Sequence, residues 1–310
     1  MVSRRDFLSS TLAAGAGMML PAGLSQPAVA QPAKRMIVDA QVHLWKAESP
    51  DWKWVPGLKP QLPEPMTIER LLPLMDEASV DRVVIVPPSW VGDRNDYGLE
   101  AVRRYSDRFH VMGRFPVENP QAGALLPKWK EQPGMLGIRL TFNNNTTRPW
   151  LSDGTTDWFW TEAEKAQIPV YVFTPGETAK LGPIAERHPQ LTLIIDHMGI
   201  AVSMGQDAIT AAIDQTVGLA RYPNVSCKVS ASPGASKEPY PFRDMTVHLH
   251  RVFDAYGPQR CYWGSDLTNT FSKGPYRQRV THFTEELSFL SESDKDWVMG
   301  RAILARLKWS

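Results

Sequence analysis

His43, His197 and Asp266 lie far apart in the chain, yet each closes a short run rich in β-forming residues: IVDAQVH, LTLIIDH and RCYWGSD. A carboxylate can take a proton from water, and an imidazole can polarise a carbonyl or hold an oxyanion. Other polar groups close comparable runs: Gln41 two residues before His43, Arg139 in MLGIRL, Thr174 after PVYVF, and Lys228 and Ser230 in NVSCKVS. Arg139 and Lys228 suit an anionic substrate, Arg139 through its two-pronged geometry. Gln41, Thr174 and Ser265 suit further hydrogen bonds, and Trp45 an aromatic wall. Each role has a plainer counterpart. A strand-end histidine is often only a satisfied structural residue. Asp266 can equally pin a loop, and Arg139 and Lys228 can equally be interior ion pairs. Asp39 reads as an anchor of its strand. His110, His188, His248, His250 and His282 fall on helices, helix ends or strand starts and read as surface or bottom-face residues.

These groups meet only if a fold brings the ends of their segments together. Residues 37–45 alternate, with Asp39, Gln41 and His43 on one face and Ala40, Val42 and Leu44 on the other, which is the period of a strand. Thr67 predicts the cap of a helix over 67–78, with Ile68, Leu71, Leu72 and Met75 on one face. Further strands are predicted over 80–87, 108–115, 135–140, 169–174, 191–197, 224–230 and 260–266. Helices are predicted from Asp93 or Asn95 to 106, over 120–130, 157–166, 177–187, 207–221 and 242–256, with two more at the end. The last is read as capped by Ser293 with Asp296 three residues on. Eight strand–helix units in strict alternation predict a (β/α)8 TIM barrel, a single domain over 36–310. A doubly wound sheet is the rival, but its Gly-rich phosphate loop is missing. In such a barrel the strand ends named above share one opening.

The chain has 310 residues, 43% hydrophobic and 22% charged, with a formal net charge of +1. Near-neutral charge removes the electrostatic case for nucleic acid or an anionic membrane; a small-molecule substrate is the expected partner. Arg4-Arg5, a mildly apolar run over 9–20 and Ala28-Val29-Ala30 before Gln31 resemble a twin-arginine export signal over 1–30. A periplasmic or secreted protein is expected, and the run is too short for a stable membrane anchor. Cys227 and Cys261 each fall in a predicted strand; a disulfide and two buried thiols both remain open.

DAQVHLW, the GIR of 137–139, ERHPQLTLIIDHMG around His197 and CYWGSDLT around Asp266 resemble the amidohydrolase-related family, over roughly 36–309. That family includes sugar-acid and aromatic lactonases and metal-dependent aromatic-acid decarboxylases, on a (β/α)8 fold. Its metal-binding members carry His-x-His or Glu-x-His on strand one, His on strands five and six, and Asp on strand eight. The resemblance therefore implies His43, His197 and Asp266 as ligands if a metal binds. Gln41 and Thr174 stand where two stronger ligands belong, which implies no metal or one weakly held divalent ion, zinc being possible. The implied activity is hydrolysis of a small lactone or ester. Asp266 serves as base, His197 and His43 polarise the carbonyl, and Arg139 and Lys228 orient the substrate. Metal-dependent decarboxylation of an aromatic acid, and non-catalytic binding of a small molecule behind a Trp-rich rim (Trp45, Trp52, Trp54, Trp90), are the alternatives.

Overall fold

A computed structural model of the chain describes residues 34–310; the export segment expected over 1–30 lies outside the described residues. Eight short strands pair in parallel, in chain order: β1 (Val38–Val42), β2 (Arg82–Ile85), β3 (Phe109–Gly113), β4 (Met135–Thr141), β5 (Val170–Phe173), β6 (Leu193–Ile195), β7 (Val225–Val229) and β8 (Cys261–Trp263). The sheet curls into a nearly closed barrel surrounded by helices, in the manner of a TIM barrel. Between β8 and β1 the contact is made just past the last strand: Asp266 N–H donates to Gln41 C=O at 3.1 Å, and Ser265 N–H to Asp39 Oδ1 at 2.9 Å. Gly264 permits this approach, since a Cβ there would lie 3.3 Å from Gln41 Cβ.

Alternate residues along the strands separate two apolar clusters. Val83 and Ile85 face outward and pack under helix α1 (Ile68–Ala78), against Leu71 and Met75. Val84 and Val86 face inward with Val38, Ala40, Met112 and Tyr171, and the C-terminal helix Ala302–Leu307 packs against this inner cluster. Helix α1 forms because its apolar positions recur at helical spacing. Thr67 Oγ1 accepts from Arg70 N–H at 3.2 Å, and Ser79 ends the helix in a left-handed conformation at φ 59°. Among the described residues no helix is long and apolar enough to cross a membrane.

Several expectations are corrected. The β1–β2 register shifts between Asp39 and Val42, so the alternation of β1 is broken. Asp39 Oδ2 accepts from the Tyr276 hydroxyl at 2.5 Å, while Gln41 bonds to Lys228. The helix expected over 120–130 is instead a 3-10 run, Pro120–Glu131. The cap near the C-terminus is Ser291 with Asp294, which bond each other's backbone N–H; Asp296 pairs instead with Arg35 Nε at 2.8 Å. Strands β6 and β8 stop short of His197 and Asp266, whose φ angles are 55° and 47°. His248 and His282 are buried rather than at the surface, His282 between Phe242 and Phe283. Cys227 and Cys261 sit opposite each other on β7 and β8 as free, buried thiols.

Asp39 accepts three hydrogen bonds, from the backbone N–H of Gln41 and Ser265 and from Tyr276, and so ties the first strand to the end of the last. Asp39→Ala leaves these buried donors without an acceptor. The expected loss is roughly 3 kcal/mol of folding free energy, measured by urea unfolding.

Candidate active site

At the C-terminal ends of the strands a cavity of about 330 Å3 is lined by His43, Trp90, Arg139, Thr141, Phe173, His197, Asp266 and Asn269, with Leu58, Lys59 and Gln61 reaching over from the loop after β1. His43 Nε2 lies 3.6 Å from Asp266 Oδ1, and His197 Nε2 lies 4.0 Å from Asp266 Oδ2. The backbone that presents two of these side chains is unusual. His197, Met198, Ala231 and Asp266 all hold positive φ, a region that costs a non-glycine residue of order 1 kcal/mol or more. The sharp turn redirects each side chain from the strand line into the opening.

Asp266 is almost wholly buried. Burial pushes its carboxyl up to about 6, against the Asn269 hydrogen bond at 2.8 Å and the positive charges of Lys228 and Arg139. Asn269 in turn accepts from Gln61 Nε2 at 2.5 Å, so the loop after β1 is latched to the carboxylate. Burial, then the charge of Arg139, lowers His43 to about 3. Burial also drops His197 well below the usual histidine range. Both imidazoles are therefore neutral near pH 7, and Asp266 is ionised.

Hydrogen bonding fixes the His43 tautomer. Its Nδ1 lies 2.7 Å from the Val86 carbonyl, which can only accept, so Nδ1 carries the proton. Nε2 is then a lone pair, and it faces the Gln41 amide nitrogen at 3.2 Å. The expected role of His43 as a carbonyl-polarising donor is corrected on this ground: the neutral ring has no N–H on the cavity side. His197 Nδ1 lies 2.7 Å from Ser230 Oγ. When the serine hydroxyl donates, Nε2 carries an N–H toward the cavity.

Arg139 meets the cavity, but four residues expected to touch a substrate do not line it. Lys228 is wholly buried, paired with Asp196 Oδ1 at 2.8 Å, bonded to Gln41 Oε1, and set 3.8 Å over the Tyr171 ring. Gln41 is wholly buried between Lys228 and His43. Thr174 is also wholly buried. Trp45 stands behind the wall, edge-on to Trp90 at 5.3 Å; of the expected Trp rim, Trp90 alone lines the cavity. Asp196, to which no role is given by sequence, is shared by Lys228 and by Arg139 Nε at 3.1 Å. Burial opposes its charge, but Lys228 and Arg139 outweigh that and hold the carboxyl below the usual range. Its signal is its place beside His197 in IIDH. Thr141, two residues past Arg139 on the same strand face, and Asn269, three residues past Asp266 in a turn, are likewise legible by spacing.

The donor set does not fit a divalent metal. Among the described residues no three His, Cys, Asp or Glu side chains are grouped as ligands. The lone pair that His43 needs for a metal faces the Gln41 amide, and the Gln41 oxygen is taken by the Lys228 ammonium. Thr174 contributes only a neutral hydroxyl.

Comparison with known proteins agrees with this architecture. An amidohydrolase family model matches residues 38–304. An L-fucono-1,5-lactonase of Burkholderia ambifaria is 27% identical over 236 residues, covering 74% of this chain and 79% of that protein. One from Burkholderia multivorans is 23% identical over 241 residues, covering 74% and 81%. A Burkholderia multivorans amidohydrolase solved with bound zinc superposes with a TM-score of 0.74 at 19% identity, over 88% of this chain and 99% of that one. The chain belongs to the amidohydrolase family and is a hydrolase of that kind.

Proposed function

We propose that the protein hydrolyses a small lactone or related ester with water activated by Asp266. The observation that carries this reading is one buried, ionised carboxylate facing two neutral imidazoles and Arg139 across a single cavity. The two Burkholderia relatives, both L-fucono-1,5-lactonases, support the lactone class.

Asp266 accepts a proton from water as the water oxygen bonds to the carbonyl carbon. The carbonyl electron pair moves onto oxygen, and that oxyanion takes a hydrogen bond from His197 Nε2–H. Collapse breaks the ring C–O bond. The departing alkoxide recovers the proton from Asp266, and an open hydroxy acid leaves. His43 keeps Gln41 and the wall beside Asp266 in place. Lys228 is a positioning residue, since it holds the Gln41 oxygen and so turns the amide nitrogen toward His43. No step passes through a metal.

Asp266→Asn should lower kcat by roughly a hundred- to ten-thousand-fold, as expected for loss of a general base. In the wild type, kcat/KM should rise as pH increases to about 6, where Asp266 ionises, and level off above it. A variant that keeps full activity defeats the assignment. Dialysis against a chelator should leave activity intact, and elemental analysis of active protein should find far less than one zinc or manganese per chain. Stoichiometric metal whose removal abolishes turnover restores the metal-dependent readings, the decarboxylase included. Arg4-Arg5 and Ala28-Val29-Ala30 support export by the twin-arginine route. Mass spectrometry of the exported protein should then give an N-terminus at Gln31, and an exported chain still carrying 1–30 counts against it.

A further inference from the structure

Thr141 Oγ1 accepts from two guanidinium groups, Arg139 Nη1 and Arg114 Nη1, the latter at 3.3 Å. A hydroxyl has two lone pairs and one proton. With both lone pairs engaged, Thr141 can act toward a third group only as a donor, and it lines the cavity beside Arg139. Neither the Thr141 proton nor Arg139 Nη2 finds an acceptor among the described residues. Cations crowd the same place. Among the described residues Asp196 is the carboxylate within 3.1 Å of both Arg139 and Lys228, and they share it. The carboxylate paired with Arg114 is that of Asp93, 3.8 Å away, and Arg114 Nε is buried with no acceptor. Burial and the neighbouring Arg139 charge push Arg114 down to about 10. Two like charges converging on one hydroxyl call for an anion, and a planar carboxylate matches a guanidinium and an adjacent O–H donor. Lys59 adds a further cation to the lining, and Asp266 is its single carboxylate.

We propose that Arg139 and Thr141, backed by Arg114, form a carboxylate-binding subsite on the cavity wall, so that the lactone this enzyme opens carries a carboxylate. The proposal rests on the lactone-hydrolase reading for the reaction, but not for the binding. Arg139 and Thr141 make the contacts. Arg114 acts through Thr141, by holding its lone pair and by charge.

The backbone of Arg114 is held independently of its side chain: its N–H donates to Asn95 Oδ1 at 2.7 Å, and its carbonyl accepts from Asn95 Nδ2 at 3.0 Å. Arg114→Gln therefore removes the charge with the strand end still anchored, and Thr141→Val removes only the hydroxyl. Turnover is compared for a lactone bearing a ring carboxylate and for its primary amide. The wild type should favour the acid in kcat/KM by roughly tenfold or more, and each variant should shrink that ratio several-fold, mainly through KM for the acid. Calorimetry with tetrahydrofuran-2-carboxylate and its amide reads binding without turnover: the wild type should bind the carboxylate more tightly, and both variants should lose that preference. No preference for the acid in the wild type overturns the proposal, as do variants that weaken acid and amide alike. If neither lactone is hydrolysed but the carboxylate binds and the variants weaken it, the subsite stands and the lactonase reading fails. Should Arg114→Gln not fold, Thr141→Val decides alone.

Discussion

Asp196 holds two cations in the interior of the barrel, and the geometry of the mouth follows from that one carboxylate. Burying a charge is costly unless partners surround it, and removing one partner of a buried pair costs about 3–5 kcal/mol. Asp196 solves this with Lys228 below the cavity and Arg139 at its wall. Lys228 then fixes the Gln41 oxygen, and Gln41 fixes His43. Arg139 extends to Thr141 and lies 5.1 Å over the Phe173 ring. A chain of polar contacts thus runs from β1 through β7 and the end of β6 to β4. The groups at the mouth are gathered around an internal salt bridge.

That buried network explains why the site was only partly legible. The barrel could be read because its strands are continuous apolar runs, VVI in β2 and LII in β6, separated by segments with helical spacing. His43, His197, Asp266 and Arg139 could be placed at one opening because strand ends in such a barrel share it. Whether a polar side chain near a strand end points into the cavity or beneath it depends on one residue of register. The break between Asp39 and Val42 sends Asp39 toward Tyr276 and leaves Gln41 and His43 facing Lys228 and the cavity. Lys228 looks identical in sequence whether it meets a ligand or a buried partner. Trp45 and Trp90 are both aromatic, and packing alone decides which becomes the wall and which the support.

The left-handed residues at the mouth belong to the same economy of space. His197 and Asp266 leave their strands through turns that glycine would adopt more readily. A glycine would relax the backbone but delete the imidazole or the carboxylate. The surrounding contacts, Asn269 on Asp266 and Ser230 on His197, hold these side chains in the orientation that the turn supplies.

The latch from Gln61 through Asn269 to Asp266 joins the segment over the cavity to the proposed proton acceptor. Leu58, Lys59 and Gln61 shape the opening, and the same segment steadies the carboxylate that must ionise. Substitutions that enlarge or shrink the opening will therefore tug on Asp266. A change of loop at the rim is felt at the carboxylate beneath it, because Asn269 is bonded at both ends.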